Sequence, residues 1–153
     1  MNIVKILCPV DFSDSSNHAL QYAIAFSKAH AASLHLLHII QPLSYGVGVD
    51  GIDVSTSAEV LDTLQESCRD QLKKLGEMVA EKEIDATTNI VIGTPFIEIT
   101  RVAREEAMDL IVLGTHGRTG LAHMLIGSVA ERVVRKAPCP VLTVKHPEHD
   151  FRE

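Results

Sequence analysis

The stretch GTHGRTGLAHMLIGS occupies residues 114–128 and follows a run of apolar residues. Its glycines fall in the pattern Gly114-x2-Gly117-x9-Gly127-Ser128. Glycine lets backbone N–H groups approach an anion with no Cβ in the way. Gly127 and Ser128 open a helical pattern, and a helix start offers free N–H groups and the positive end of its dipole to negative charge. Residues of these types at this spacing can cradle a phosphate. His116 lies where it could touch phosphate or ribose, and Arg118 adds a cation. Ser128 has two uses, as a cap for the helix or as a hydroxyl toward phosphate. The competing reading is a long ordered loop whose Leu121, Met124 and Leu125 pack on the domain.

Asp11 is the second candidate. It directly follows a strand-like run, where a carboxylate can hold Mg²⁺ near phosphates or accept from a ribose hydroxyl. It is equally a residue type that closes turns and caps helices. Other chemistries are missing. No GxxxxGK[ST] occurs, so there is no P-loop lysine. No serine sits in GxSxG. GVGVDG at residues 46–51 matches GxGxxG, but it lies past Pro42 and no helix opens at its third glycine, so it reads as a flexible loop. The eight histidines make no metal set; His35 and His38 are three apart on a strand and point to opposite faces. Three cysteines without a CxxC read as free thiols in a reducing compartment, with Cys8 and Cys139 packing as small apolar groups.

The elements that must position these residues follow from periodicity. IVKILCPV (residues 3–10), SLHLLHII (33–40), ATTNIVIG, DLIVLGT and PVLTVK are short apolar runs and read as five strands. SLHLLHII is apolar on both alternating faces, as a strand covered on two sides should be. Four helical patterns lie between the strands. The first has caps on offer from Ser13 to Ser16 and an apolar stripe of Ala19, Leu20, Ala23, Ile24 and Phe26. The second runs from about Ala58 to Lys82, opens on a Thr56/Glu59 capping box, and carries Leu61, Leu64, Cys68, Leu72, Leu75 and Val79 as its stripe. The third opens at Thr94-Pro95 and ends near Ala107. The fourth opens on a Ser128/Glu131 capping box and ends before APCP. Such alternation implies one α/β domain, a parallel sheet with helices on both faces, over residues 1–146, with 147–153 a short tail. An open sheet of this kind takes ligands beyond the carboxyl ends of its strands. CPVDFS, HIIQP and GTHGRTG all lie there.

The chain's 153 residues suffice for one real core. A net charge of −6 argues against a nonspecific nucleic-acid binder, which needs a basic face. The longest apolar runs are strand-length, so no membrane insertion is expected, and the N-terminus has no signal-peptide pattern. Cytoplasm is the expected compartment.

PVDFS, LHII, VIGTP and DLIVLGTHGRTGLAHMLIGSVAERVVRKAPCPVLTVK together resemble the universal stress protein family, over residues 3–145. The glycine-serine spacing is the most specific part of the resemblance. It implies a five-stranded, doubly wound sheet of order 3-2-1-4-5. It also implies binding of ATP, with ADP or AMP as alternatives and Mg²⁺ or Mn²⁺ as companion, because members with this glycine pattern typically bind ATP. Carried over, Pro9, Val10 and Asp11 would lie along the nucleotide, with Asp11 toward the ribose or the phosphate-bound metal. Ile39 would contact adenine. Gly114, His116, Gly117 and Arg118 would wrap ribose and phosphates. Gly127, Ser128 and Val129 would hold phosphate. The family also forms homodimers by pairing the final strand, here Pro140 to Lys145. The function implied is that of a nucleotide-responsive regulator with an unidentified protein partner and little or slow hydrolysis. The alternatives are a genuine ATPase or nucleotidyl-transfer enzyme, for which only His116 or Asp11 could serve as base, and a dimerising adaptor without ligand.

Overall fold

The computed structural model describes residues 2–41, 58–116 and 127–145. Strands β1 (Lys5–Pro9), β2 (Ser33–Ile40), β3 (Ala86–Ile92), β4 (Leu110–Gly114) and β5 (Val141–Val144) alternate with helices α1 (Asp14–His30), α2 (Ala58–Ala80), α3 (Pro95–Glu105) and α4 (Ser128–Lys136). Every pairing is parallel, and the sheet order is β3-β2-β1-β4-β5. This is the doubly wound order that the resemblance implied. β1 is central, with Leu7 opposite His35 on one side and Ile111 on the other.

The period-2 alternation of the central strands sorts their side chains into two apolar layers. Ile6, Cys8, Leu34, Leu36, Leu110 and Val112 join Ala19, Leu20, Ala23 and Ile24 of α1 and Leu72 and Val79 of α2. Leu7, Leu37, Ile111 and Leu113 join Ile99, Val102 and Ala103 of α3 and Ala130 and Val133 of α4. Cys8 is wholly buried in the first layer, and burial pushes its thiol up to about 12. No described helix is long and apolar enough to cross a membrane.

Helix α2 departs from its expected stripe. Cys68, Leu72 and Val79 are buried, but Leu64 is 43% exposed. Length explains it. Twenty-three helical residues span about 34 Å at 1.5 Å each, whereas the seven residues of β3 span about 23 Å. The first turns of α2 therefore overhang the sheet. The Thr56/Glu59 box, GVGVDG and residues 147–153 lie outside the described side chains.

The opposite, amino-terminal edge of the sheet is tied by Asp109. Its Oδ2 accepts from the Val4 N–H at 2.8 Å and the Lys5 N–H at 2.9 Å, which joins the entry of β1 to that of β4. These two backbone donors hold its carboxyl below the ordinary carboxylate value.

Candidate functional site

At the carboxyl end of β1 the ladder stops at Pro9 and the chain turns. Val10 is 3% exposed, with its side chain in the first apolar layer. Only its backbone remains for the turn. Its N–H donates to the Leu37 carbonyl at 2.9 Å, and its own carbonyl accepts from His38 Nδ1 at 2.7 Å. Asp11 comes next. Its Oδ1 accepts from the Ser13 N–H at 3.0 Å and from the Ser13 hydroxyl, while its N–H donates to Ser16 Oγ at 3.3 Å. This is a side-chain-closed turn, so the turn role open to Asp11 is the one its Oδ1 fills. Ser13 in turn caps α1, its Oγ accepting from the Ser16 N–H at 3.2 Å, as its type and position foretold. Between Asp11 and Ser13, Phe12 has φ 64°. A left-handed backbone costs a non-glycine residue about 1–2 kcal/mol. Its ring lies against that of His38, centroids 4.4 Å apart and planes tilted by 32°, and packs on the first layer.

At the end of β4 stands Gly114. A Cβ there would lie 2.5 Å from Ser15 Oγ and 2.9 Å from the Ser15 carbonyl, so the first turn of α1 closes on β4 only because the side chain is absent. Ser15 is 7% exposed and its hydroxyl has no hydrogen-bond partner among the described residues. Thr115 holds both ends of the glycine stretch. Its N–H donates to the Val144 carbonyl at 2.9 Å, and its carbonyl accepts from the Gly127 N–H at 2.6 Å. A Cβ on Gly127 would lie 2.9 Å from that same carbonyl. His116 is buried, 6% exposed, and shares a 3.0 Å hydrogen bond between its Nδ1 and the Thr115 hydroxyl.

Helix α4 starts differently from the expected capping box. Gly127 is the N-cap and makes no side-chain cap bond; Ser128 is the first helical residue. The Gly127–Thr115 bond draws the chain into the helix one residue early, and Glu131 pairs instead with Arg135 at 3.0 Å. The amide of Gly127 is thus engaged, while those of Ser128, Val129 and Ala130 begin the helix without a side-chain cap. Thr94 behaves similarly at α3. It occupies the cap position before Pro95, but its hydroxyl makes no cap bond.

The structure brings Asp11, Gly114, His116, Gly127 and Ser128 to one end of the sheet through a chain of contacts by way of Ser13, Ser15, Ser16 and Thr115. Ile39 is half-buried and leans on the second layer, as does Val129. Gly117 and Arg118 lie outside the described residues. Among the described residues no group of three metal-ligating side chains occurs. Two participants escaped the sequence reading. Ser15 is one serine in a run of possible caps, and His38 is one of two strand histidines that point to opposite faces.

The universal stress protein family model matches residues 2–145. Universal stress protein MJ0531 of Methanocaldococcus jannaschii is 37% identical over 147 residues, covering 95% of this chain and 84% of that one. Universal stress protein MJ0577 of the same organism is 34% identical over 92% of this chain and 94% of its own. The solved structure of MJ0577 superposes with a TM-score of 0.82, covering 95% of this chain and 98% of that one. A universal stress protein crystallised in complex with cAMP is 26% identical, with a TM-score of 0.70 over 94% of this chain and 98% of that one. With a family model spanning nearly its whole length and relatives above 30% identity over most of theirs, this chain belongs to the universal stress protein family.

Proposed function

We propose that this chain binds an adenine nucleotide, ATP foremost, at the carboxyl ends of β1, β2 and β4, and acts as a homodimeric regulator with little or slow turnover. The observation that carries the reading is the start of α4. It is an uncapped helix end, set by Gly127 directly against the turn after Gly114. Its first amides and dipole suit phosphate. The missing Cβ atoms let the chain close on Ser15 at Gly114 and on the Thr115 carbonyl at Gly127, and the Ser15 hydroxyl beneath Gly114 has no partner among the described residues. The cAMP complex of a relative supports the nucleotide class.

In this reading Ser128 gives its N–H and hydroxyl to phosphate, Val129 its N–H, and Gly117 and Arg118 complete the wrap. Gly127 shapes the helix start, since its own N–H already serves Thr115. Pro9, Val10 and Asp11 border the ribose, and Ile39 offers an apolar face to adenine. Mg²⁺ or Mn²⁺ would accompany the triphosphate and neutralise its charge; Asp11 is the candidate ligand, with one oxygen committed to Ser13. The homodimer forms through the strand from Pro140 to Lys145.

The test is calorimetry on dialysed protein with ATP, ADP and AMP, beside radiolabelled ATP turnover. ATP binds, and Ser128→Ala weakens it about tenfold, as loss of a hydrogen bond to a charged group does. The unliganded melting temperature of that variant stays near wild type, because Ser128 caps nothing. Absence of heat with all three nucleotides overturns the reading, and multiple rapid turnovers would make the chain an enzyme instead.

A further inference from the structure

We infer that His38 is a positioning residue for the nucleotide site, acting through the turn after β1; this rests on the binding reading above. His38 is 4% exposed, lies on β2 and is not itself assigned to the ligand; it reaches the site through Val10. Its ring does two things to the turn. Nδ1 lies 2.7 Å from the Val10 carbonyl, and a carbonyl only accepts, so the ring's Nδ1 carries the hydrogen. That bond satisfies a carbonyl just past the last β1–β2 register pair, Pro9 with Leu37. The ring face then supports Phe12, whose centroid is 4.4 Å away and whose backbone is left-handed at φ 64°.

Val10 and Phe12 flank Asp11. With the carbonyl before it and the ring after it held, Asp11 stands where its Oδ1 takes the Ser13 N–H, and Ser13 caps α1. His38 therefore couples the second strand to the carboxylate and to the helix whose Ser15 closes on Gly114. A buried polar ring that spends its hydrogen bond and its ring contact on one turn fits a positioning role.

Two substitutions separate its two contacts. The Asn side-chain Nδ2 reaches the same distance as imidazole Nδ1, so His38→Asn keeps a donor for Val10 and loses the ring contact. His38→Phe keeps a ring against Phe12 and loses the donor. Both are measured as full-length protein by ATP calorimetry and by the backbone amide resonances of Asp11 and Ser13. His38→Phe weakens ATP about tenfold and shifts both amides; His38→Asn weakens it less and shifts them less. Equal losses in the two variants, or wild-type binding and amide positions in His38→Phe, overturn the proposal. The wild-type protein supplies an independent readout in the nitrogen spectrum of its histidine rings: His38 shows a protonated, slowly exchanging Nδ1. A His38 ring protonated only at Nε2 overturns the proposal without any variant. If no adenylate binds the wild type, the function proposed above fails, whereas the ring spectrum and the amide shifts still decide the role of His38.

Discussion

One methyl group decides how closely α1 meets β4. Gly114→Ala places a Cβ 2.5 Å from a hydroxyl and 2.9 Å from a backbone carbonyl, both of Ser15. The expected cost is about 1–3 kcal/mol of unfolding free energy in urea titrations, the usual range for overpacking. Adding Ser15→Ala recovers only part, since the carbonyl stays. Ser15→Ala alone is neutral or stabilising, because the hydroxyl it removes is buried with no partner among the described residues. A neutral Gly114→Ala would refute the close approach. The glycine itself was readable in the sequence, because a missing Cβ is a local property and the spacing to Gly127 displays it. Ser15 and His38 were not. The partner of Ser15 is 99 positions away by their numbers, Ser15 and Gly114, and that of His38 is 28 away. Neither contact leaves a periodic trace.

At the scale of elements, strands read more faithfully than helix ends. β2 begins and ends at Ser33 and Ile40, as its apolar alternation implied. The α4 cap slipped by one residue because a tertiary bond to Thr115 outweighs the local preference of Ser128. Leu64 obeys the helical period yet stays 43% exposed. The entry of β4 carries a pH-dependent tie. Two backbone N–H groups lower the pKa of Asp109 from 3.8, so the folded chain binds this proton less readily than the unfolded one. The stabilisation is complete above the unfolded value and disappears as pH falls through the lower folded value. Asp109→Asn should flatten the acid limb of stability against pH below about 4, measured by urea titration at each pH. An unchanged acid limb would mean that the tie carries no weight.

At the scale of the whole molecule, the alternation of strands and helices was enough for a parallel sheet, while the strand order came from the family resemblance. The two edges differ in kind. β3 exposes the polar Thr87, Thr88 and Asn89, whereas β5 offers the half-buried Val141, Leu142 and Thr143. Pro140 and Val144 turn their carbonyls to Ile111 and Thr115 of the β4 side, so the N–H groups of Val141 and Thr143 face outward. Thr143→Pro removes an outward donor without touching the β4 ladder. If the proposed dimer pairs through β5, sedimentation shows wild type as a dimer and this variant shifted to monomer; a variant dimer as tight as wild type would place the interface elsewhere. Cys8 has a different consequence for the folded chain. A thiolate attacks the peroxides and disulfides that can reach it, whereas a buried thiol does not. The middle strand of this stress protein holds its sulfur protonated and sealed. Oxidants therefore leave intact copies unmarked at this position and modify only chains that have already come apart, so an oxidised Cys8 records a lost fold rather than a received signal.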